Sequence, residues 1–281
     1  MTRRTENDLT HESMLAALQG LANPVHAQAL QRFFRTGPGQ YGEGDIFLGI
    51  KVPYIRSLIR IFSAAPLGEI LKLIRSPLHE ARLLALLLMV TQYDKSDEEI
   101  REKIFSSYLR NARYVNNWDL VDLSAPHILG RHLMHRDRAV LRTLAGSQRL
   151  WDRRIAVLAT FFFIKHNDFS DSLHIAEMLV DDAEDLIRKA VGWMMREIGK
   201  RDAEAAETFL RKHCRTMPRT MLRYAIERYP EEKRLTYLHA GKLSTGDRNR
   251  AGSKKDDTDQ RGFRPGKGSK PRHRRNENVR Y

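Results

Sequence analysis

The most constraining feature of the sequence is a long succession of segments in which apolar residues recur every three or four positions. This spacing continues from residue 53 to residue 239, and no stretch of alternating apolar and polar residues interrupts it. Spacing of three and four places apolar side chains on one face of an α-helix, whereas a half-buried strand requires a period of two. The pattern therefore predicts an all-α protein.

The predicted helices also repeat. An arginine stands two or three residues before an alanine at Arg82, Arg154, Arg188 and Arg223, with spacings of 72, 34 and 35 residues, and the midpoint of the first spacing is Trp118. A period near 35 with two helices per unit indicates a curved α-solenoid of antiparallel helix pairs, of the HEAT or armadillo type, because one pair cannot cover its own apolar face. In this register the second helices line the concave face, and they carry Trp118, Asp122, Arg154, Arg188, Trp193 and Arg223.

Composition narrows the class of protein. The chain has 281 residues, of which 41% are hydrophobic and 30% are charged, as expected for a soluble protein with a sizeable core. The longest apolar run, Leu83 to Val90, is shorter than the roughly 18 residues that a bilayer crossing requires, and the N-terminus lacks the apolar stretch of a signal peptide. Cys214 is the sole cysteine, so no disulfide forms within the chain. These features predict a cytoplasmic protein.

The net charge of +14 favours a polyanionic partner, and nucleic acid before lipid. Residues 241–281 hold 13 Lys and Arg against 5 Asp and Glu, so residues 1–240 keep a positive balance of their own. The composition changes at residue 241, which predicts a folded domain over 1–240 and a disordered basic tail over 241–281. The tail either contacts phosphates or only aids solubility, and its candidate phosphate contacts are Lys267, Lys270, Arg272, Arg274 and Arg275.

A glycine-rich segment at residues 35–45 interrupts the helical pattern and contains G-x-G-x-x-G. This motif binds dinucleotides only where it follows a strand and opens a helix, and here the preceding segment is helical. A dinucleotide cofactor is therefore not expected. Nor is a metal, since His132 and His135 have the spacing of metal ligands but no third ligand near them, and the acidic cluster at 181–185 is typical of a helix start.

All three tryptophans stand three or four residues from a charged residue, as Trp118 with Asp122, Trp151 with Arg154, and Trp193 with Arg196. Residues at this spacing share one face of a helix. Arginine binds phosphate in a bidentate manner and indole rings pack on sugars and bases, so these groups favour DNA binding. The structural alternative, core tryptophans beside charges at helix ends, stays open on spacing alone.

Asp122 differs from the other charged residues because an acid on a DNA-binding face repels phosphate. A carboxylate beside the anomeric carbon of a nucleotide can stabilise an oxocarbenium ion and orient an attacking water. The residues therefore favour hydrolysis of a glycosidic bond.

Four stretches carry a family resemblance, at 47–53 (FLGIKVP), 117–122 (NWDLVD), 151–156 (WDRRIA) and 189–197 (KAVGWMMRE). In these stretches and their order, the chain resembles the AlkD family of DNA alkylation-repair glycosylases from about residue 20 to residue 235. The resemblance implies a HEAT-like solenoid whose concave face grips duplex DNA. It also implies the excision of cationic lesions such as 3-methyladenine and 7-methylguanine.

The resemblance further implies roles for individual residues. The catalytic carboxylate falls on Asp122, the sugar-contacting tryptophans on Trp118 and Trp193, and the active-site arginine on Arg154, with the adjacent Arg153 as an alternative. Further DNA contacts are expected from Trp151, Arg188, Lys189, Arg196 and Arg223. The 35–45 segment and the basic tail depart from the family pattern, which leaves DNA affinity and lesion preference open.

These features together predict a monomeric base-excision glycosylase, associated with the nucleoid through DNA, that acts on cationic alkylated purines in duplex DNA. The alternatives are a non-catalytic HEAT-repeat DNA-binding protein and a protein scaffold without a DNA partner. The acid at position 122 favours the enzyme, because a protein that only binds DNA gains nothing from a carboxylate on its DNA face.

Overall fold

The computed structural model describes the backbone of residues 9–250 and the side chains of residues 9–240. No strand forms in this part of the chain, where a single parallel bridge joins Ile46 and Leu78. The all-α prediction is confirmed. The helices are α1 (His11–Gln19), α2 (Pro24–Phe33), α3 (Val52–Phe62), α4 (Leu67–Leu73), α5 (His79–Lys95), α6 (Glu98–Arg110), α7 (Trp118–Asp122), α8 (Arg131–Leu133), α9 (Ala139–Ala145), α10 (Leu150–Lys165), α11 (Ser170–Met178), α12 (Asp185–Gly199), α13 (Ala203–His213), α14 (Arg219–Ala225) and α15 (Glu231–Arg250), with a 3-10 turn at Ala112–Tyr114 and a π-helical turn at Pro126–Gly130.

Several helices begin where the local sequence provides an N-cap. The side chains of Thr10, Asn23, Asp97 and Asp202 each accept a hydrogen bond from the backbone N–H three residues later. Pro24 occupies the first helical position after Asn23, where its missing N–H costs nothing. Asparagine followed by proline is typical of a helix start, and the structure confirms the start that this pair predicts.

The apolar spacing over residues 118–133 predicts one continuous helix, but the structure divides this segment into three short elements. The helix α7 ends at Asp122, the π-helical turn follows after a short connection, and α8 completes the segment. Pro126 causes the interruption, because its nitrogen has no hydrogen to donate and its ring obstructs the preceding helical turn. The prediction of a continuous helix was wrong here. With only five residues, α7 depends on tertiary contacts for its orientation.

Five of the described helices form an inner row in which each one packs beside the next. Within this row, α10 contacts α7 and α12, and α12 in turn contacts α14. Outside the row, α10 contacts α9 and α11, and α12 contacts α13. The inner row consists of α5, α7, α10, α12 and α14. This is the arrangement of a helical-repeat solenoid, in which each helix of the inner row from α10 onward follows its outer partner in sequence. The predicted solenoid architecture is therefore confirmed.

The C-terminal helix α15 continues beyond the predicted domain boundary. It runs to Arg250, whereas the sequence predicts a change from folded domain to tail at residue 240. Within residues 9–250, none of the helices combines the length and the apolar character needed to cross a bilayer. The five tail residues predicted as phosphate contacts lie outside the described residues.

Candidate active site

A cleft of about 1280 Å3 runs along the inner row of helices. Its lining comes from α7, α10, α12 and α14, together with the end of α2 and the glycine-rich segment that follows it. The side chains that line it include Phe33, Arg35, Gln40, Tyr41, Trp118, Asp122, Arg154, Glu184, Asp185, Leu186, Lys189, Trp193, Arg196, Arg223, Tyr224 and Glu227. Seven of the ten predicted site residues that lie within the described part of the chain therefore line one cavity.

Asp122 and Arg154 form a bidentate ion pair in this cleft. The Arg154 Nε donates to Asp122 Oδ1 at 2.9 Å, and Nη2 donates to Asp122 Oδ2 at 2.8 Å. A third donor, Nη1, binds the backbone oxygen of Leu186 at 2.7 Å and so ties the pair to the start of α12. The side chains are 8% and 7% exposed, respectively. Both groups are therefore fixed in orientation while they still border the cleft.

The protonation of Asp122 is set by two opposing influences. Burial raises the pKa of the Asp122 carboxyl above its ordinary value, and the charge and hydrogen bonds of Arg154 act in the opposite direction. Arg154 uses one acceptor direction on each carboxylate oxygen, and an ionised carboxylate has about four such directions. The remaining acceptor directions are free for a bound sugar or water.

Two of the three tryptophans line the same cleft as this pair. The Trp118 ring stacks on Phe34 with the ring centroids 5.1 Å apart, and the exposed Phe33 ring meets it edge-on. Trp193 packs against Phe161, and its Nε1 donates to Glu197 Oε1 at 3.3 Å. Both rings are partly exposed and held by neighbours, so they offer preformed surfaces for a sugar or a base.

Trp151, the third tryptophan, and Arg153, the second candidate arginine, lie outside the cleft. Trp151 is only 8% exposed and belongs to the core. Arg153 pairs with Asp182 at 2.8 Å and donates to the backbone oxygens of Ser147 and Gln148. Neither residue lines the cleft. This placement does not fit the DNA-contact role predicted for Trp151, and of the two adjacent arginines it is Arg154 that reaches Asp122.

The predicted cationic contacts are mostly engaged within the protein. Lys189 pairs with Asp185 at 2.8 Å and Arg196 pairs with Glu227, whereas Arg188 donates to the backbone oxygen of Asp182 and does not line the cleft. By contrast, no carboxylate of the described residues pairs with either of two other cleft cations, Arg35 and Arg223. A phosphate entering the cleft therefore meets these two guanidinium groups without having to displace an acid.

A buried polar network holds α7 in place. His79 contacts Asp119 through Nε2 at 2.8 Å and Asp45 through Nδ1 at 3.1 Å, and Arg82 donates to Asp45 at 2.5 Å. Although burial opposes it, the two carboxylates raise the pKa of His79 to about 9, so the imidazole is charged at neutral pH. The amide of Asn117 adds a hydrogen bond to Asp45 at 3.1 Å. The network thus connects α7, the start of α5 and the end of the glycine-rich segment.

Sequence reasoning missed one wall of the cleft. Phe33 lines it from the end of α2, and Arg35, Gln40 and Tyr41 line it from the segment that was noted only for its glycines. The backbone there is fixed by hydrogen bonds, including Gly42 N–H to the Arg35 oxygen at 3.1 Å. The available signal was an arginine and a tyrosine among small residues. Local pattern does not reveal which side chains of a loop meet a distant helix.

Outside the cleft, His11, Glu12 and Glu69 bring three groups able to bind a metal within 4.8 Å of one another. One oxygen of Glu69 already accepts from the backbone of His11, and the other accepts from Lys72. These contacts account for the cluster as an anchor between α1 and α4.

The comparisons with known proteins point to DNA alkylation repair. The family model for "DNA alkylation repair enzyme" matches residues 14–229, and no curated protein matches the sequence. Among solved structures the chain is similar to a "Predicted DNA alkylation repair enzyme from Enterococcus faecalis", with 16% identity, a TM-score of 0.58 and coverage of 75% of this chain and 97% of that one. At that identity the likeness concerns the fold. Because the matched range contains every helix of the inner row and every residue of the cleft, the chain belongs to the DNA alkylation repair enzyme family.

Proposed function

We propose that this protein is a DNA glycosylase that hydrolyses the N-glycosidic bond of cationic alkylated purines in duplex DNA, such as 3-methyladenine and 7-methylguanine. The observation that carries the proposal is Asp122, a carboxylate held rigidly by Arg154 in a cleft with aromatic walls and unpaired cations. The family supplies the DNA repair context.

The chemistry requires little beyond a fixed anion. A purine alkylated at N3 or N7 carries a positive charge and departs as a neutral base with the bonding electron pair, so no general acid is needed. Positive charge grows on the deoxyribose, where Asp122 stabilises the transition state more than the ground state. Water then bonds to the anomeric carbon and loses a proton, which leaves a free base and an abasic site.

The aromatic and cationic residues of the cleft have supporting roles in this proposal. Trp118 and Trp193 border the cleft near Asp122 and provide flat surfaces on which a deoxyribose can pack. Arg35 and Arg223 provide guanidinium groups for the flanking phosphates. Ordinary bases are spared because they are neutral and leave poorly.

The test is release of free bases from duplex DNA that carries 7-methylguanine, with heat-inactivated protein to measure spontaneous loss. We expect D122N to reduce single-turnover excision by about 10²–10³-fold, the usual loss when one preorganised electrostatic group is removed. DNA binding by D122N should persist or tighten, because a charge that repels phosphate is gone. Release by D122N at the wild-type rate would remove the catalytic assignment.

D185N is the matched control. Asp185 lines the same cleft and pairs with Lys189, so the substitution removes the same charge without touching the Asp122–Arg154 pair. Excision by D185N should stay within a few-fold of wild type. An equal loss in D185N and D122N would mean that net cleft charge, and not the placement of one carboxylate, sets the rate.

One observation favours a second function, that of a non-catalytic DNA-binding protein. Both oxygens of Asp122 are engaged by Arg154, as in a purely structural ion pair. In that case the wild-type protein binds methylated and unmethylated duplexes but releases no base. The base-release assay with wild-type protein separates the two functions directly.

A further inference from the structure

The structure has a second recess, of about 280 Å3, and one residue that lines it is close in sequence to a residue that lines the cleft. It is formed by the connection between α4 and α5, the 3-10 turn after α6, and the end of the glycine-rich segment. Asn116 lines this recess and Trp118 lines the cleft, and only Asn117 stands between these two residues in sequence. Their Cα atoms are therefore no more than about 7 Å apart.

Three arginines line the recess and give it positive charge. No carboxylate of the described residues lies in salt-bridge contact with Arg75 or Arg113. Arg75 uses its Nε on Asn111 at 3.2 Å, and Arg113 stacks over the ring of Tyr114, with its guanidinium carbon 4.8 Å from the ring centroid. Arg113 Nη2 donates to Tyr114 Oη at 2.9 Å, whereas Arg113 Nη1 and both terminal nitrogens of Arg75 have no hydrogen-bond partner among the described residues. This leaves two cations of the recess without an acidic partner.

Arg82, the third arginine, is buried, and one of its N–H donors has no acceptor among the described residues. Arg82 is 4% exposed, and its two terminal nitrogens bind Asp45 and the backbone oxygen of Ser76. Its Nε is buried and has no hydrogen-bond partner within the described part of the chain. An orphaned N–H on a buried guanidinium costs free energy unless a ligand or water accepts its hydrogen bond. The recess thus presents a buried donor below two exposed cations.

Two acids also line the recess, but both are engaged. Asp45 is surrounded by Arg82, His79, Asn116 and Asn117 in the buried network described above. Glu43 accepts the backbone N–H of Gly39 at 2.9 Å. The charge that remains for a ligand is positive, and the donors are guanidinium groups, which suit the oxygens of a phosphodiester.

We propose that this recess binds a backbone phosphate of the DNA strand whose damaged nucleotide lies at Asp122. The inference rests on the proposed function and adds to it a specific phosphate contact outside the cleft. Because Trp118 lines the cleft and Asn116 lines the recess, the two sites are close enough for neighbouring nucleotides of one strand to reach both. The contact fixes the position of the strand and takes no part in bond cleavage.

The double variant R75Q–R113Q tests the proposal on unmodified and methylated duplexes. We expect the Kd for both to rise about tenfold at moderate salt, and the slope of log Kd against log salt to fall by about one to two, as when one or two phosphate contacts are lost. Single-turnover excision at saturating protein should keep its wild-type rate. An unchanged Kd and slope would overturn the proposal. If loss of the Arg75 hydrogen bond to Asn111 disturbs folding of the double variant, the same measurements on the single variant R113Q test the site.

The matched control is R56Q–R60Q. Arg56 and Arg60 are exposed on α3 and line neither the cleft nor the recess, so this variant removes the same charge from another surface. Its slope should change by less than half as much as that of R75Q–R113Q. Equal changes in the two double variants would show a diffuse charge effect and overturn the site.

Failure of this inference is distinguishable from failure of the proposed function. A wild-type protein that binds DNA through the recess but releases no base would leave the recess in place and remove the glycosylase. If the protein releases 7-methylguanine but R75Q–R113Q binds DNA with full affinity, the glycosylase would stand and the phosphate site in the recess would be removed. A crystal structure with a duplex is a direct test, because a phosphate oxygen should lie within hydrogen-bond distance of a terminal nitrogen of Arg75 or Arg113.

Discussion

At the scale of single residues, the site depends on how Asp122 keeps its charge. Burial favours the protonated carboxyl and Arg154 favours the carboxylate. Only the ionised form can stabilise a developing oxocarbenium ion. Because the pKa of Asp122 is raised, the inactive protonated form persists to a higher pH than for an exposed aspartate.

The pH dependence of excision should therefore reveal Asp122. We expect the acid limb of the single-turnover rate to lie above the ordinary aspartate pKa of about 3.9. In R154Q the limb should move to still higher pH, because the group that lowers the pKa is gone. The R154K variant keeps a cation and should shift less. Rates measured from about pH 4 to pH 8 on 7-methylguanine duplexes test this, and an identical limb in all three proteins would contradict the assignment.

A second residue-scale prediction concerns the acids of the cleft. Glu227 pairs with Arg196, and both line the cleft, so E227Q should free Arg196 for phosphate and remove a repulsive charge. We expect DNA affinity to rise about twofold to tenfold, the range that corresponds to roughly 0.4–1.4 kcal/mol. The measurement is fluorescence anisotropy with a labelled duplex at low salt.

The control for E227Q is E99Q. It breaks the exposed pair between Glu99 and Lys103 on α6, away from the cleft. The same gain in affinity in E99Q would show that overall charge alone is responsible. No gain in E227Q would indicate that Arg196 does not reach the DNA.

At the scale of elements, the short helix α7 carries both Trp118 and Asp122 but has too few residues to be stable alone. Its position is set by Leu120 and Val121, which are buried, and by the contact of Asp119 with His79. The same imidazole binds Asp45 at the end of the glycine-rich segment. Both walls of the cleft beside Asp122 therefore depend on one protonated histidine.

This dependence predicts a loss of stability at alkaline pH. The pKa of His79 is about 9 in the folded protein and about 6.5 in the unfolded chain, so folding favours the charged imidazole. Its contribution, up to about 3 kcal/mol, is fully present below pH 6.5 and is lost as the pH rises through 9. Urea unfolding between those pH values measures it. In H79Q this part of the pH dependence should disappear, and a wild-type protein with constant stability across the range would contradict the role of His79.

At the scale of the whole molecule, positive charge is distributed over two regions. Of the net +14, the larger part belongs to residues 241–281, which hold 13 Lys and Arg against 5 Asp and Glu. The remaining charge belongs to the solenoid that forms the cleft. A long-range field of this sign accelerates the encounter with DNA and weakens with salt.

Removal of residues 251–281 should therefore weaken DNA binding without changing the chemistry. We expect a higher Kd and a smaller salt dependence, with the single-turnover rate at saturating protein unchanged. A protein with the same tail residues in scrambled order serves as the control and should bind like wild type, because phosphate contacts do not depend on tail sequence. Full affinity in the truncated protein would restrict DNA binding to the solenoid.

The sequence alone predicted the fold class and the order of the helices well, because a 3.6-residue period is a local property that each segment displays independently. The repeat near 35 residues likewise placed Arg154, Arg188 and Arg223 on the inner helices. Prediction failed at Pro126, where the same apolar spacing continued through a proline that interrupts the helix. The predicted domain boundary at residue 240 stays a prediction, and the helix α15 runs across it to Arg250.

The sequence by itself determined that Asp122, Trp118 and the repeated arginines lie on the inner helices, because helical spacing fixes which residues share a face. Only the tertiary structure decided which of them meet. Arg153 and Arg154 differ by about 100° around the helix, and their partners Asp182 and Asp122 lie in other repeats. The wall formed by Arg35 and Tyr41 was equally hidden, since it reaches the cleft through contacts between Asp45 and residues about 70 positions away. Such contacts depend on how distant segments pack, and no local period encodes that packing.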